Sequence, residues 1–347
     1  MRRVSATLFF VVFVPLFVTG ITFGQALPPG VPSNFVETPA GYFHPTCIMQ
    51  LQPGERLVGN TIVSPVRGTL QVAPCQYPSY PRRVVAPLPP PPTINGWVAD
   101  EDSASVGNVN WISAAWTVPN NPNSIGSQTV YFFPGLEHTP SGASILQPVL
   151  AWNGSDAAGA NWVIYSWNCC PVNYVWHSQP LAVNPGEAIS GLVSGTNCNA
   201  GTGVCQNWQV QTTVTRGVTS LSTTLDTDSV GQTLNWEAGG ALEVYNVDVC
   251  NQLPANGAIS FNDIVVRDIN GGQVFPSWNA YRPTLSPDCV TGVSATTNTV
   301  SITWNGCVPQ CYPYQCGQSD GCGGQCFTCP GYPYHCCDLL CTTEACQ

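Results

Sequence analysis

Two polar side chains stand inside apolar stretches of this sequence. Gln147 lies in "SGASILQPVLAW", and Glu243 lies in "GGALEVYNVDV" between Leu242 and Val244. An amide stays a neutral hydrogen-bond donor at any pH, so it can orient a water and bind a developing oxyanion. In a dry cleft, desolvation moves a carboxyl pKa towards the range useful for acid–base work. A glutamine facing a glutamate across a sheet could therefore form a hydrolytic dyad.

The sequence lacks the motifs of serine, cysteine and metal-dependent hydrolases. The sequence has no G-x-S-x-G or H-E-x-x-H motif, and its four histidines are scattered, with no recognisable nucleophile signature nearby. Asp226 and Asp228 in "LDTDS" could hold calcium, but a polar turn is the more ordinary interpretation. We therefore expect no metal site and no cofactor. Glu137 with Glu243 leaves one further option, the paired carboxylates of a glycosidase.

The charge balance excludes several classes of partner. Only 8% of the residues are charged, and 9 basic against 19 acidic residues leave a net charge of −10. Without a basic patch or a basic helix, neither nucleic acid nor an anionic membrane is an expected partner. A chain with few ion pairs also has little stability to lose when its carboxylates become protonated. The composition therefore suits an acidic exterior.

The N-terminus and the cysteines indicate export. Arg2 and Arg3 precede the apolar stretch "ATLFFVVFVPLFV" and the small residues of "GITFGQA", which is the pattern of a signal peptide over residues 1–26. No later stretch is apolar and long enough to span a membrane. The 18 cysteines are an even number, and in an exported chain they indicate disulfides before metal ligands. We predict a soluble, secreted and monomeric protein.

Composition divides the exported chain into three parts. Residues 27–93 are Pro-rich, end in "APLPPPPT", and form either a pro-region, with Arg82-Arg83 as a processing site, or a permanent small module. Residues 94–288 carry short runs such as "NWVIYSW" and "NWQVQTTVT" between Gly, Pro, Asn and Ser, which is typical of an all-β sandwich or jelly roll. Residues 289–347 contain ten cysteines between positions 307 and 346 and predict a C-terminal disulfide-rich module.

Cysteine positions indicate particular disulfides. Three pairs are expected: Cys47–Cys75, Cys198–Cys205 and Cys250–Cys289. Cys169 and Cys170 are adjacent, so each is expected to pair elsewhere. Asn153-Gly154-Ser155 is an N-glycosylation sequon, which makes Asn153 the predicted glycosylation site.

The order of several segments resembles the glutamic peptidases of the eqolisin family, from about Asn95 to about Val266. "ISAAWTVPN" resembles an early strand that ends in a T-V-P turn, and "FFPGLEH" a strand that ends in Gly, an aliphatic residue and an acidic residue. "SILQPVLAW" resembles the I-L-Q stretch with the family's catalytic glutamine, and "ALEVYNV" lies where the family has its glutamate strand. The resemblance implies a concanavalin A-like β-sandwich and an acid-acting endopeptidase with a protein or peptide substrate.

The resemblance also implies roles for individual residues. Glu243 would activate the attacking water and then protonate the leaving amine, and Gln147 would position that water and stabilise the oxyanion. Glu137 would contact these residues and hold them in position without reacting itself. The substrate groove would be shaped by Trp97, Trp152 and Tyr165. Glu237, in "LNWEAGG", is a competing glutamate six residues before Glu243.

Two other functions remain open on the same fold. A non-catalytic carbohydrate-binding, lectin-like protein would stack exposed aromatic rings on extracellular polysaccharide. An extracellular wall or coat protein would use the sandwich as a structural unit. In the peptidase, Gln147 and Glu243 should meet around one water on a shared face, whereas aromatics on a flat exposed face would favour the lectin.

Overall fold

The structure, a computed structural model, describes most of the chain. It covers residues 27, 30–80, 93–105, 107–138, 144–154, 159–228, 231–285, 287–289 and 291–304, and the backbone of 335–337 and 340–342. The predicted signal peptide, Arg82-Arg83 with its linker, and most of the Cys-rich module lie outside these residues. Within this range, no helix is long and apolar enough to cross a membrane.

Strands dominate the described residues. The N-terminal part has six short strands: β1 (Val36–Thr38), β2 (Gly41–Phe43), β3 (Ile48–Leu51), β4 (Arg56–Val58), β5 (Thr61–Ser64) and β6 (Gly68–Gln71). The following strands are β7 (Ile94–Ala104), β8 (Val109–Thr117), β9 (Thr129–Glu137), β10 (Ile145–Trp152), β11 (Trp162–Cys169), β12 (Val175–Ser178), β13 (Leu181–Val183), β14 (Ala188–Thr196), β15 (Asn207–Arg216), β16 (Thr219–Asp228), β17 (Trp236–Val247), β18 (Ala258–Asp268), β19 (Gln273–Val274), β20 (Asn279–Tyr281), β21 (Gly292–Thr296) and β22 (Thr299–Thr303). The last two are β23 (His335–Cys337) and β24 (Leu340–Thr342). Short 3-10 turns cover Pro45–Cys47, Pro171–Asn173 and Cys250–Gln252.

Two large sheets confirm the predicted all-β sandwich. Sheet A has the order β20-β7-β17-β9-β10-β11-β12-β3, with β13 beside β11. Sheet B has the order β21-β22-β18-β8-β14-β15-β16-β4-β5-β6, with β19 beside β18. Apolar side chains from both sheets, such as Leu146 and Leu150 of sheet A and Val193 and Val210 of sheet B, form one continuous core.

The strands of the two sheets differ in how they are covered. In β15 the buried and less buried residues alternate, as expected for a strand with one face on the core and one towards solvent. In β9, β10 and β11 every residue is buried. The strand that contains Gln147 is therefore covered on both faces. A second apolar cluster, which includes Phe35 and Tyr42, covers the face of sheet A that points away from sheet B, and we call this face the outer face.

The N-terminal segment is joined to the sandwich in two ways. Strand β3 pairs with β12 and strand β4 pairs with β16, so the segment extends both sheets. In contrast, β1 and β2 form a separate two-stranded hairpin that pairs with neither large sheet. Two backbone hydrogen bonds, 2.9 and 3.0 Å long, fasten Tyr42 of this hairpin to Tyr80. The segment is thus not the separate appendage that its Pro-rich composition indicates.

One domain boundary and one cysteine prediction need correction. Strand β22 pairs with β18, and β21 pairs with β22, so the sandwich continues past residue 288 to Thr303. Three disulfides are confirmed: Cys47–Cys75, Cys198–Cys205 and Cys250–Cys289. The expectation that Cys169 and Cys170 pair elsewhere is wrong, because the structure joins them to each other.

Candidate active site

Gln147 and Glu243 both lie on the outer face of sheet A. In β10, Gln147 alternates with Leu146, a residue of the core between the sheets, and shares its face with Val149 of the outer cluster. In β17, Glu243 shares its face with Tyr245, as the period of two predicts. The two side chains that could form a dyad are therefore on one side of one sheet.

The carboxylate of Glu243 is fully buried and held by two donors. The indole Nε1 of Trp97, the cross-strand neighbour in β7, donates to Oε2 over 3.1 Å. The hydroxyl of Tyr245 donates to Oε1 over 2.5 Å. Burial raises the pKa of Tyr245 well above its ordinary value, so this hydroxyl keeps its proton throughout the acid and neutral range. Trp97, predicted to shape the groove, thus contacts the predicted catalytic carboxylate itself.

Gln147 is also fully buried, and its amide is only partly used. Its Nε2 donates to the backbone carbonyl of Pro39 over 2.9 Å, whereas its Oε1 has no hydrogen-bond partner within the described residues. Gly135 of β9 lies beside it, and a Cβ there would stand 3.4 Å from Cγ of Gln147 and 3.0 Å from the carbonyl oxygen of Leu146. The space for the amide therefore depends on a residue without a side chain.

The register of the strands separates the two side chains. Gln147 lies beside Gly135, whereas Glu243 pairs with Tyr131, four positions earlier in β9. At a rise of about 3.3 Å per residue, four positions correspond to ~13 Å along the sheet. Gln147 makes its hydrogen bond to Pro39 and not to Glu243. The two residues share a face but do not meet directly.

The β1–β2 hairpin connects them instead. Thr38 and Pro39 are consecutive. The carbonyl oxygen of Thr38 lies 3.1 Å from the Tyr245 hydroxyl oxygen, and the carbonyl oxygen of Pro39 accepts a hydrogen bond from Gln147 Nε2 over 2.9 Å. The ring of Tyr42 packs edge-on against the ring of Tyr245, with centroids 5.2 Å apart. Two adjacent peptide carbonyls of the chain itself thus occupy the polar atoms of the candidate site.

Sequence reasoning did not identify the hairpin or the contacts of Tyr245. The hairpin sequence "VETPAGYF" contains only two three-residue strands, too short for a period of two to be visible. The side-chain period of two in a strand puts Tyr245 on the same face as Glu243, but the contact of Tyr245 with Thr38 joins residues 207 positions apart and has no local signal.

The other predicted groove residues lie in different places. Tyr165 is buried on the outer face, edge-on to Trp167 with centroids 5.5 Å apart. Trp152 belongs to the core between the sheets and packs on Trp162, with centroids 5.3 Å apart. Because Trp152 lies on the face opposite to Gln147, its prediction as a groove residue is wrong.

The position of Glu137 rules out the paired-carboxylate option. Glu137 ends β9, six positions beyond Tyr131, which is the partner of Glu243. Six positions correspond to ~20 Å along a strand. The carboxylates of glycosidases stand roughly 5 to 10 Å apart. Glu137 and Glu243 therefore lie too far apart to act on one glycosidic bond.

The residues weighed as calcium ligands belong to a strand and not to a turn. Asp226 and Asp228 are in β16, where Asp226 Oδ1 accepts from Gln209 Nε2 over 2.9 Å and Asp228 Oδ2 accepts from the amide of Gly59 over 3.1 Å. Among the described residues, no group of three or more His, Cys, Asp or Glu side chains could hold a metal ion.

The predicted glycosylation site lies at the end of β10. The side-chain Nδ2 of Asn153, the atom that a glycan would modify, donates to the backbone carbonyl of Gln128 over 3.0 Å. Ser155 of the sequon lies outside the described residues. Glycosylation at Asn153 stays a prediction.

Glu237, the competing glutamate, lies in β17 away from the hairpin. It pairs with Leu136, a residue of the core between the sheets, and its Oε2 accepts from Ser105 Oγ over 2.7 Å. Burial raises the pKa of Glu237 to about 7. Burial also raises the pKa of Glu101 and of Asp102. Burial thus favours the neutral form of these carboxyls, and an acidic medium keeps them in that form.

We expect the fold to be more stable in acid than at neutral pH. The folded chain keeps the proton of Glu237 up to about pH 7, whereas the ordinary pKa of this carboxyl without burial is 4.5. The stability due to the neutral carboxyl is therefore complete below about pH 4.5 and is lost as the pH rises through about 7, a change of about 3 kcal/mol. Urea unfolding at about pH 4.5 and about pH 8 measures this change, and Glu237→Gln should remove it.

Glu187→Gln is the matched control for that measurement. The Arg216 guanidinium beside Glu187 lowers the pKa of this carboxyl, so its stabilisation is lost only in stronger acid. In Glu187→Gln, the free energy of unfolding should still fall between about pH 4.5 and pH 8, as it does in the wild-type chain. A wild-type free energy of unfolding that increases over this interval would contradict the role of Glu237.

Comparisons with known proteins found matches among the solved structures. No protein-family model and no curated protein matches the sequence. A solved structure of scytalido-glutamic peptidase with a transition-state analogue inhibitor matches with 16% identity and a TM-score of 0.43, over 60% of this chain and 98% of the other. SCP-B, an eqolisin-family peptidase in complex with the tripeptide Ala-Ile-His, matches with 15% identity and a TM-score of 0.42, over 60% and 98%.

A third matching structure is also of low sequence identity. The aspergilloglutamic peptidase from Aspergillus niger matches with 16% identity and a TM-score of 0.35, over 51% of this chain and 98% of the other. The family that the sequence motifs resemble is thus found among the matching structures. A likeness at this level concerns the arrangement of strands and assigns no activity.

Proposed function

We propose that the chain is a secreted endopeptidase that hydrolyses peptide bonds in acid, with Glu243 and Gln147 in its active site. The observation that carries this proposal is the binding of two consecutive peptide carbonyls, those of Thr38 and Pro39, by the Tyr245 hydroxyl and Gln147 Nε2 beside the carboxylate of Glu243. A face that binds main-chain carbonyls of its own chain at the hairpin turn, Pro39-Ala40, offers the same donors to the carbonyls of a substrate.

The chemistry needs a base that a water can reach. With a substrate in place of the hairpin, Glu243 takes a proton from water while the water oxygen bonds to the carbonyl carbon. The C–N bond then breaks, and the proton moves from Glu243 to the leaving amine. The indole of Trp97 keeps one carboxylate oxygen in position during both steps.

The hairpin must leave before a substrate can enter. It fills the outer face, and its carbonyls use the donors that a substrate would need. We therefore propose that the secreted chain is latent and is activated by a cut within residues 81–92, where Arg82-Arg83 lies. The cut separates Tyr80 from the sandwich domain, and Tyr80 is the residue whose backbone fastens Tyr42 of the hairpin. This makes the N-terminal segment a pro-region in function, although β3 to β6 remain paired with the sandwich.

A structural wall or coat protein is the second candidate. The observation in its favour is that β3 and β4 extend sheets A and B, which suits a permanent cover. The lectin-like alternative has less support, because the aromatic residues of the outer face, Trp97, Tyr165 and Trp167, are buried beneath the N-terminal segment.

One assay separates these functions. The full chain, uncut and cut in the linker by trypsin that is then removed, is incubated with a denatured protein from about pH 2 to pH 7, and new peptides are identified by mass spectrometry. We expect cleavage in acid by the cut form. Absence of cleavage by both forms at every pH would overturn the peptidase proposal and favour the structural role, with a glycan-binding screen as the next step.

A further inference from the structure

The proposed function leaves one chemical task without a residue near the base. A hydrolytic site needs a donor that binds the carbonyl oxygen as it becomes an oxyanion, within hydrogen-bond reach of the same carbonyl whose carbon the water attacks. Gln147 was predicted for this task. Its Nε2 binds the carbonyl oxygen of Pro39, whereas the carbonyl oxygen that lies beside Tyr245 and Glu243 is that of Thr38.

The hairpin shows which donor is close enough. The hydroxyl of Tyr245 is 2.5 Å from Glu243 Oε1 and 3.1 Å from the carbonyl oxygen of Thr38, so it touches the base and a peptide carbonyl at once. Gln147 Nε2 instead binds the carbonyl of Pro39, one residue further towards the C-terminus. The two donors therefore serve two consecutive carbonyls at the turn of the hairpin.

We propose that Tyr245 is the catalytic donor to the carbonyl of the bond that is cleaved, and that Gln147 binds the carbonyl of the next residue. This inference rests on the proposed function. The residue in the place of Thr38 then lies on the amino side of the cleaved bond, and the residue in the place of Pro39 lies on its carboxyl side. Substrate recognition thus includes a main-chain carbonyl one residue after the cleaved bond.

The proton positions are consistent with this assignment. Before reaction, the single hydroxyl proton of Tyr245 lies towards Oε1 of Glu243. When Glu243 has accepted a proton from water, the phenol hydrogen bond turns to the carbonyl oxygen, where negative charge develops as the water oxygen bonds to carbon. Tyr245 keeps its proton, and Glu243 returns its own to the leaving amine. No further donor or co-reactant is needed.

The kinetic test compares two conservative changes in the cut, active chain. Tyr245→Phe keeps the ring that packs against Tyr42 and should lower kcat about 10²-fold, with little change in KM. Gln147→Ala should raise KM about 10-fold with kcat nearly unchanged, because a carbonyl away from the reacting bond is bound equally in ground and transition states. The reverse pattern would overturn the assignment and return Gln147 to the reacting carbonyl.

Two further readouts separate a catalytic role from a structural one. Because Glu243 loses the hydrogen bond from the Tyr245 hydroxyl in Tyr245→Phe, the acid limb of the pH profile of kcat/KM should move to higher pH, and the carboxylate infrared band of Glu243 in a ¹³C-glutamate-labelled chain should shift. Tyr174→Phe is the matched control, since its hydroxyl donates to the backbone carbonyl of Ala73 over 2.9 Å, away from the site. It should change neither readout.

The outcomes distinguish the two proposals. If the wild-type chain cleaves substrate and Tyr245→Phe leaves kcat, the acid limb and the infrared band unchanged, the assignment of Tyr245 fails while the peptidase function stands. If the wild-type chain cleaves nothing, the proposed function fails and the catalytic role of Tyr245 with it.

Discussion

Glu243→Gln is expected to lower kcat/KM for peptide cleavage by about 10³-fold, because the amide cannot accept the proton of the attacking water. The change preserves size, and the new side chain keeps one oxygen for either Trp97 or Tyr245. Circular dichroism and the melting temperature of the cut chain show whether the fold is retained. The kinetics are measured in acid with the substrate that the wild-type chain cleaves.

Glu237→Gln is the matched control for this prediction. Glu237 lies in the same strand, is equally buried, and bonds Ser105 away from the hairpin. It should keep its activity within a few-fold of wild type, although its stability changes with pH. If Glu237→Gln abolished cleavage and Glu243→Gln did not, the base would have been assigned to the wrong glutamate of β17.

Periodicity in the sequence predicted a large part of this fold. Alternating residues in "NWQVQTTVT" identify a strand such as β15, because its solvent face is polar and its core face is apolar. The same rule places Glu243 and Tyr245 on one face of β17. It gives no information on the offset between neighbouring strands, since register depends on which residues of distant segments pair. The separation of Gln147 from Glu243 is a property of register and was therefore not predictable.

Trp152 illustrates a second limit of sequence reasoning. In β10, apolar residues occupy both faces, so the sequence shows no alternation that would tell the core face from the outer face. The cause is the N-terminal segment, which buries the outer face with residues such as Phe35 and Tyr42. The Pro-rich composition indicated a pro-region or a small module, and the short strands of this segment became visible only through their pairing with β12 and β16.

The position of the hairpin leads to a test of latency that needs no cutting. Tyr42 is buried and packs against Tyr245, so Tyr42→Ala removes ring contacts that hold the hairpin on the outer face. The loss of a buried aromatic ring costs about 3 to 5 kcal/mol. Because β1 and β2 pair with neither sheet, much of this cost should fall on hairpin closure and not on the sandwich.

In the uncut chain, Tyr42→Ala is therefore expected to raise peptidase activity at least about 10²-fold, since each 1.4 kcal/mol changes a closing equilibrium tenfold. Ile62→Ala is the matched control, because Ile62 is buried in the same N-terminal segment but packs into the core between the sheets. It should lower the melting temperature without raising activity. Equal activation by both variants would mean that general loosening of the fold opens the site, and no activation by Tyr42→Ala would mean that the hairpin is a permanent part of the domain.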